Sequence, residues 1–128
     1  MTHLFSYETF ADALRTAGIE RGARILIHTS VRAIVPDEDQ RHTLPDAGMP
    51  DILRAFQDII TSEGLIAVPT FSPTWADRPE MRDKTVIWEG RDTPSWLGAF
   101  PNFIIKQPDF FRSSHPTHNI SVWGKGAD

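Results

Sequence analysis

The chain has 128 residues, a formal net charge of −4, no cysteine and a hydrophobic fraction of 40%. Such a composition is typical of one globular domain with an apolar core, so residues 1–128 are assigned to a single domain. The lack of cysteine excludes disulfides and cysteine nucleophiles. Scattered basic residues on an acidic chain argue against nucleic-acid binding. No apolar run reaches the roughly 20 residues of a membrane span, and no signal-peptide pattern opens the chain, which favours a cytoplasmic protein without a membrane contact.

The first predicted elements are a helix and a strand. Residues 6–17 repeat apolar side chains at helical spacing, with Ser6 suited to cap the start and Gly18 to end the helix. The predicted apolar face consists of Tyr7, Phe10, Leu14 and Ala17. Residues 24–28 then form a short strand, and its unbroken apolar centre predicts burial on both faces.

A second helix and strand follow an acidic surface loop at residues 36–48. The helix begins near Pro50, because proline suits the first helical position, and it ends at Glu63-Gly64. Its predicted buried side chains are Ile52, Leu53, Phe56, Ile59 and Ile60. Residues 65–68 read as a buried strand. The alternation of helix and strand predicts an α/β sheet with at least one crossover.

The last third of the chain is less regular. Residues 69–91 show no persistent period, and long irregular loops are more often functional than accidental. A third helix is predicted to begin at Thr93-Pro94-Ser95, and Pro101 should kink or divide it. A final strand is predicted at residues 120–123.

Several local sequences follow one another in a specific order and spacing. They are His28-Thr29-Ser30-Val31-Arg32-Ala33-Ile34, Val68-Pro69-Thr70-Phe71-Ser72, Thr93-Pro94-Ser95 ahead of Gly98, Arg112-Ser113-Ser114-His115-Pro116, and Trp123-Gly124. From Gly18 onward this series resembles the aminoglycoside 3-N-acetyltransferase family. The Arg-Ser-x-His-Pro segment is its most distinctive part.

The resemblance implies a fold and an activity. The fold would be a layered α/β/α sandwich around a mixed, largely parallel sheet, incomplete in this chain, which would form the amino-terminal part of the family's domain. The activity would be transfer of acetyl from acetyl-coenzyme A to the 3-amino group of an aminoglycoside, a function in antibiotic resistance. The implied partners are an aminoglycoside or another amine acceptor, and the formation of a homo-oligomer is left open.

The sequence departs from the family pattern at three places. Val35-Pro36 stands where the family usually has glycine, and Asn119 stands where it usually has serine. The family's proposed catalytic pair, a histidine with a glutamate three residues later, does not occur in these 128 residues. The catalytic residues are therefore unassigned, and the isolated chain is expected to be inactive.

The resemblance and the predicted strand ends together suggest a coenzyme A site. Ligands of α/β sheets bind beyond the carboxyl ends of strands, and guanidinium groups pair well with phosphates. The predicted cofactor-binding residues are Thr29, Ser30, Val31, Arg32, Thr70, Arg112, Ser113 and His115.

Each assignment has a structural alternative. Thr29 and Ser30 suit a simple turn, and Arg32 suits a solvated surface position. Arg112 suits an ion pair with an acid such as Asp109. Thr70 and Ser72 suit either the pocket or a loop cap.

Three histidines have side chains that suit catalysis or metal binding. His28 has the right chemistry for a general base, but its place at a buried strand end favours a core histidine. His115 and His118 lie three residues apart without a third ligand, so no metal is predicted. The acidic segment Asp37-Glu38-Asp39 could attract a cationic substrate, although such runs are usually just solvated.

Two functions of other kinds stay open. One is a truncated, non-catalytic remnant that binds coenzyme A. The other is an acyltransferase that acts on an amino sugar, because a fold does not determine its acceptor.

Overall fold

A computed structural model describes residues 6–31, 48–73 and 88–128. Its elements in chain order are helix α1 (Tyr7–Thr16), strand β1 (Arg24–Leu26), helix α2 (Met49–Ile60), strand β2 (Leu65–Pro69), a short 3₁₀ helix (Gly90–Asp92), helix α3 (Ala99–Ile105), strand β3 (Phe111–Arg112) and strand β4 (Ile120–Gly124). The acidic loop predicted at 36–48 lies almost wholly outside the described residues. None of the helices within the described ranges is long and apolar enough to cross a membrane.

Helices α1 and α2 confirm the two elements predicted from helical spacing, although Ala17 is exposed rather than part of the packed face and α2 ends at Ile60, before the predicted end at Glu63-Gly64. Ser6 caps α1 through a capping box with Thr9, in which each side chain bonds the other residue's backbone. Pro50 lies in the first turn of α2, where its missing N–H costs nothing. All five apolar side chains predicted to be buried in α2 are buried.

The described strands form one mixed sheet in the order β1-β2-β4-β3. Strands β1 and β2 are parallel and are connected through α2, whereas β4 runs antiparallel to both β2 and β3. The predicted α/β class, the mixed sheet and the crossover are confirmed, whereas two of the three described strand pairings are antiparallel, so the described part of the sheet is not largely parallel. The two-residue strand β3 was not predicted, because Phe111 and Arg112 are too few to show a period.

One face of the sheet and the helices share the main apolar core. Ile66 and Val68 of β2 lie in the same cluster as side chains from all three α-helices, and both are at most 1% exposed. Within the described residues, this core joins one helical layer to one sheet layer, which is part of the predicted sandwich.

The opposite face of the sheet, here called the outer face, carries apolar side chains that are open to solvent. The strand register places Leu26, Ala67, Val122 and Phe111 side by side across all four strands. Leu26 is 61% exposed and Phe111 is 54% exposed. The predicted burial of β1 on both faces is therefore wrong, because this edge strand buries only its inner face.

Helix α3 begins later than predicted and is not broken by its proline. It starts at Ala99, after Gly98, so Pro101 falls within the first helical turn. Backbone N–H groups in that turn have no intrahelical acceptor, which makes proline acceptable there. Pro101 is buried, and its neighbour Phe100 is 1% exposed in the main core.

Two glycines allow β2 and β4 to come together at one end of the sheet. Gly124 has a φ of +106°, and a Cβ there would overlap the carbonyl oxygen of Gly64. A Cβ on Gly64 would in turn overlap Ile60 and the carbonyl oxygen of Ala23. Both positions therefore need a residue without a side chain.

Candidate functional site

The loops after β1 and β2 leave the sheet at the same edge, because the two strands are parallel. The Ile27 N–H donates to the Ala67 carbonyl at 2.8 Å, which holds the two chains together up to the point where they leave the sheet. Beyond it, Thr29 is half-buried and Ser30 is exposed, whereas Thr70 is fully buried. This edge, at the carboxyl ends of β1 and β2, is the candidate site.

An apolar cleft of about 200 Å³ lies beside the end of β1. It is lined by Phe10, Leu14, Ile27, His28, Thr29, Ile52 and Phe56. His28 is exposed, so the expectation of a core histidine is wrong, since the strand ends two residues earlier than predicted. The cleft could accept an apolar or amphipathic group, with Thr29 and His28 as its polar border.

A buried polar network lies at the end of β2. The Thr70 hydroxyl donates to Asn119 Oδ1 at 2.8 Å and lies 3.1 Å from the Ser121 hydroxyl. Asn119 Nδ2 contacts the Ser72 hydroxyl at 3.4 Å, and Ser72 donates to the Pro116 carbonyl. The side chains of Thr70, Ser72, Asn119 and Ser121 are all 0% exposed. Such a network fixes the backbone that carries it, because buried polar groups are costly to leave unpaired.

Arg112 joins this network to the segment before α3. Its Nε donates to Asn119 Oδ1 at 2.7 Å, and one terminal nitrogen donates to the Thr70 carbonyl at 2.7 Å. The other terminal nitrogen donates to the carbonyls of Arg91, at 2.8 Å, and Thr93. The guanidinium is thus directed mainly at backbone oxygens. Its contacts with the described residues do not include the ion pair with Asp109 that the sequence also allows.

The environment of Arg112 opposes its charge. Partial burial lowers the pKa of its guanidinium to about 10, while the charge of Asp92 acts in the opposite direction. The Trp88 ring lies 5.0 Å from the guanidinium carbon, a cation–π distance. Because an arginine stays protonated at neutral pH, the site edge carries a fixed positive charge.

The segment 113–118 forms an exposed turn above the network. Ser113 and Ile120 close it, with the Ser113 N–H donating to the Ile120 carbonyl and the Ile120 N–H donating to the Ser113 hydroxyl, each at 2.9 Å. Inside the turn, His115 Nδ1 faces the N–H groups of Thr117 and His118 at 3.2 and 3.0 Å. The rings of His115 and His118 lie 6.0 Å apart.

The predicted site residues fall into two groups. Thr70, Arg112, Ser113 and His115 meet around the buried network, whereas Thr29, Ser30 and Val31 lie at the end of the neighbouring strand. The Val31 side chain packs against the main apolar core, and the Thr29 cleft does not reach Arg112. Arg32 and the acidic segment 37–39 lie outside the described residues. The coenzyme A roles of all these residues stay predictions.

Sequence reasoning overlooked the central residue of the network, Asn119. The sequence showed only that asparagine stands here in place of the family's usual serine. A signal was available in the strand period: Asn119 and Ser121 alternate with Ile120 and Val122, which places two polar side chains on the inner face. Polar residues at inward positions usually indicate a hydrogen-bonded network.

Comparison with known proteins identifies the class. The fold matches the crystal structure of YokD from Bacillus subtilis with a TM-score of 0.75 and 23% identity, over 97% of this chain and 52% of YokD. It matches the aminoglycoside acetyltransferase AAC(3)-Xa with a TM-score of 0.74 and 18% identity, over 96% of this chain and 45% of that one. The sisomicin-bound enzyme AAC-VIa gives 0.72 and 22%, over 96% and 47%. These likenesses show that the chain shares the α/β fold of these proteins.

The sequence comparisons then identify the family. Residues 26–128 match the family model of aminoglycoside 3-N-acetyltransferases, and the chain belongs to that family. A curated relative is the SPbeta prophage-derived aminoglycoside N(3')-acetyltransferase-like protein YokD of Bacillus subtilis (strain 168). It is 23% identical over 133 residues, which cover 92% of this chain and 46% of YokD. The chain thus spans about half the length of the relatives it matches.

Proposed function

We propose that this chain supplies the coenzyme A side of an acetyl transfer from acetyl-coenzyme A to the 3-amino group of an aminoglycoside. The observation that carries the proposal is the family match over residues 26–128, which includes both strand ends and the 113–118 turn. The meeting of these segments at one edge of the sheet supports it, because α/β folds bind ligands there.

The residues at this edge fit the chemistry of the co-substrate. Ser30, Ser113 and His115 are exposed and offer hydroxyl and imidazole groups to phosphate or amide oxygens. Arg112 adds positive charge, but its nitrogens already donate to protein oxygens, so its contribution is electrostatic and structural rather than a paired contact with phosphate. The apolar cleft at Thr29 suits the uncharged pantetheine arm.

The residues described above account for neither the binding of the acceptor nor the catalytic base. The proposed acceptor is an aminoglycoside, in keeping with relatives such as the sisomicin-bound AAC-VIa. No histidine in the 128 residues has a glutamate three positions later. We therefore expect the isolated chain to bind coenzyme A without transferring acetyl. The proposed location is the cytoplasm, where acetyl-coenzyme A is available.

Calorimetric titration of the 128-residue chain with acetyl-coenzyme A tests this proposal. We expect saturable binding that weakens in Arg112→Met. Arg21→Met is the matched control, because exposed Arg21 precedes β1 at the opposite edge of the sheet and its loss removes the same charge. Equal binding by the wild type and Arg112→Met, or no binding by the wild type, would contradict the proposal.

A coenzyme-A-binding remnant without catalysis is the second candidate, favoured by the missing His-x-x-Glu sequence. The coding sequence downstream of residue 128 separates the two functions, because both predict that the isolated chain binds coenzyme A without transferring acetyl to an acceptor such as sisomicin. Binding without turnover, together with no downstream coding sequence for a His-x-x-Glu pair, would support the remnant. Turnover by the isolated chain would exclude it and would contradict the expected inactivity.

A further inference from the structure

Asn119 uses its whole hydrogen-bonding capacity inside the protein. Its Oδ1 accepts from Arg112 Nε at 2.7 Å and from the Thr70 hydroxyl at 2.8 Å. Its Nδ2 donates to the His115 carbonyl at 3.1 Å and to the Ser72 hydroxyl at 3.4 Å. A side-chain amide has two acceptor sites and two donors, so all four are engaged and the amide can face only one way. Its NH₂ group is therefore committed to the turn that carries His115.

The 113–118 turn determines which nitrogen of the His115 ring accepts hydrogen bonds. Two backbone N–H groups, from Thr117 and His118, point at Nδ1. A neutral imidazole has one acceptor nitrogen and one N–H, so the ring that accepts at Nδ1 carries its proton on Nε2. The ring itself is exposed, and its hydrogen bonds within the described residues are all at Nδ1. The Nε2–H is thus turned into a donor at the surface of the candidate site.

We infer that Asn119 is a positioning residue that holds the 113–118 turn so that His115 offers a neutral Nε2–H donor to an oxygen of coenzyme A, either a phosphate or an amide carbonyl. This role rests on the proposed function. It also means that His115 is not a general base in this arrangement, because the lone pair of the neutral ring is occupied by backbone amides.

The coupling from Asn119 to His115 is direct and short. Asn119 holds the His115 carbonyl, Ser72 holds the carbonyl of the next residue, Pro116, and Ser113 closes the other side of the turn. Aspartate has the same shape as asparagine but cannot donate to the His115 carbonyl. Asn119→Asp therefore removes the contact to the turn while it keeps the acceptor for Arg112.

The tautomer of His115 gives a readout that does not depend on ligand or activity. ¹⁵N NMR of the imidazole should show Nε2 protonated and Nδ1 unprotonated in the wild type. In Asn119→Asp we expect both tautomers. Ser121→Ala is the control, because it removes a buried hydroxyl of the same network without a contact to the turn, and the tautomer should not change. An Nδ1-protonated ring in the wild type, or equal changes in both variants, would overturn the inference.

Binding measurements test the donor role. His115→Gln keeps an N–H₂ group near the position of Nε2, and we expect it to bind coenzyme A nearly as well as the wild type. His115→Phe should lose about tenfold in affinity, the usual value of one such hydrogen bond. Coenzyme A, pantetheine and inorganic phosphate, titrated separately, distinguish a phosphate acceptor from an amide carbonyl. Equal affinity of the Gln and Phe variants would refute the donor role.

The two proposals can fail separately. If the wild type does not bind coenzyme A, then the proposed function and the donor role fall together, and the tautomer still decides whether Asn119 positions the ring. If coenzyme A binds but the tautomer is Nδ1-protonated, then the function stands and the positioning role is refuted.

Discussion

The guanidinium of Arg112 donates to oxygens from three parts of the chain: the end of β2, the segment 91–93 and the Asn119 side chain. Only a planar group with several donors can reach these oxygens at once, and a lysine ammonium cannot. The sequence indicated that Arg112 was important but assigned it to phosphate. Periodicity and motif order say nothing about which backbone carbonyls a guanidinium will meet, because these depend on the path of the chain before α3.

Arg112→Lys should lower the free energy of unfolding by about 2 kcal/mol, since an ammonium cannot reach all of these oxygens and those it does not reach lose a charged donor. Denaturant unfolding would measure the loss. The pKa of Arg112 is lowered in the folded state, so the unfolded chain binds more protons only between the folded value of about 10 and the usual arginine range. The titration of Arg112 therefore raises the free energy of unfolding with pH only within that alkaline window. From about pH 6 to 9 the effect of the substitution on the free energy of unfolding should not vary. A loss below about 0.5 kcal/mol would show that the contacts are dispensable.

Helices α1 and α2 are joined by a polar contact as well as by their apolar faces. The Tyr7 hydroxyl donates to Asp58 Oδ2 at 2.5 Å, and the Arg54 guanidinium lies 4.4 Å from the Tyr7 ring centre. The hydrogen bond to Asp58, with smaller contributions from desolvation and the Asp58 charge, raises the pKa of Tyr7. This contact therefore stabilises the helix pair below the ordinary tyrosine pKa and is lost as the pH rises through the raised value.

Tyr7 is the sole tyrosine of the chain, so its ionisation can be followed directly. The ultraviolet absorbance of tyrosinate should appear at higher pH than in a model peptide, and Asp58→Ala should move the midpoint down. Glu8→Gln, on the same helix, serves as the control for a general loss of negative charge. A midpoint that does not respond to Asp58→Ala would disprove the contact.

The elements differ in how well the sequence predicted them. Helices α1 and α2 followed from spacing and caps, because Ser6 and Pro50 mark their starts and an apolar stripe marks each inner face. The exposure of the outer face of β1 could not be predicted, since an apolar run such as residues 25–27 looks the same in a central strand and in an edge strand. Pro101 was misread because its effect depends on a helix start that the sequence placed too early.

At the scale of the whole molecule, the exposed outer face of the sheet predicts self-association of the chain. Leu26 and Phe111, on the two edge strands, are 61% and 54% exposed, and Ala67 and Val122 continue the apolar row between them. Exposed apolar surface of this kind favours association. The relatives are about twice as long as this chain, and in them further residues are available to cover such a face.

Leu26→Lys should reduce self-association of the 128-residue chain, because one charge in the middle of an apolar contact is costly to bury. Sedimentation velocity over a range of concentrations would measure the change. Trp96→Lys is the matched control, since Trp96 is also an exposed apolar side chain but lies outside the sheet. A wild type that is monomeric at all concentrations, or equal effects of both variants, would contradict this role of the outer face.

The glycine contact between β2 and β4 has a consequence for how the site can evolve. Gly124 lies at the far end of the strand whose first residue follows Asn119, and its neighbour Lys125 donates to the Gly64 carbonyl at 2.8 Å. A methyl group at position 124 would push β4 away from β2, and the displacement would be carried along the rigid strand to the polar network. In a saturation-mutagenesis screen scored by function, Gly124 should therefore tolerate as little change as Asn119, although it contacts nothing at the site. The positions that do not tolerate substitution would then lie along the whole of β4 and not only around the bound ligand.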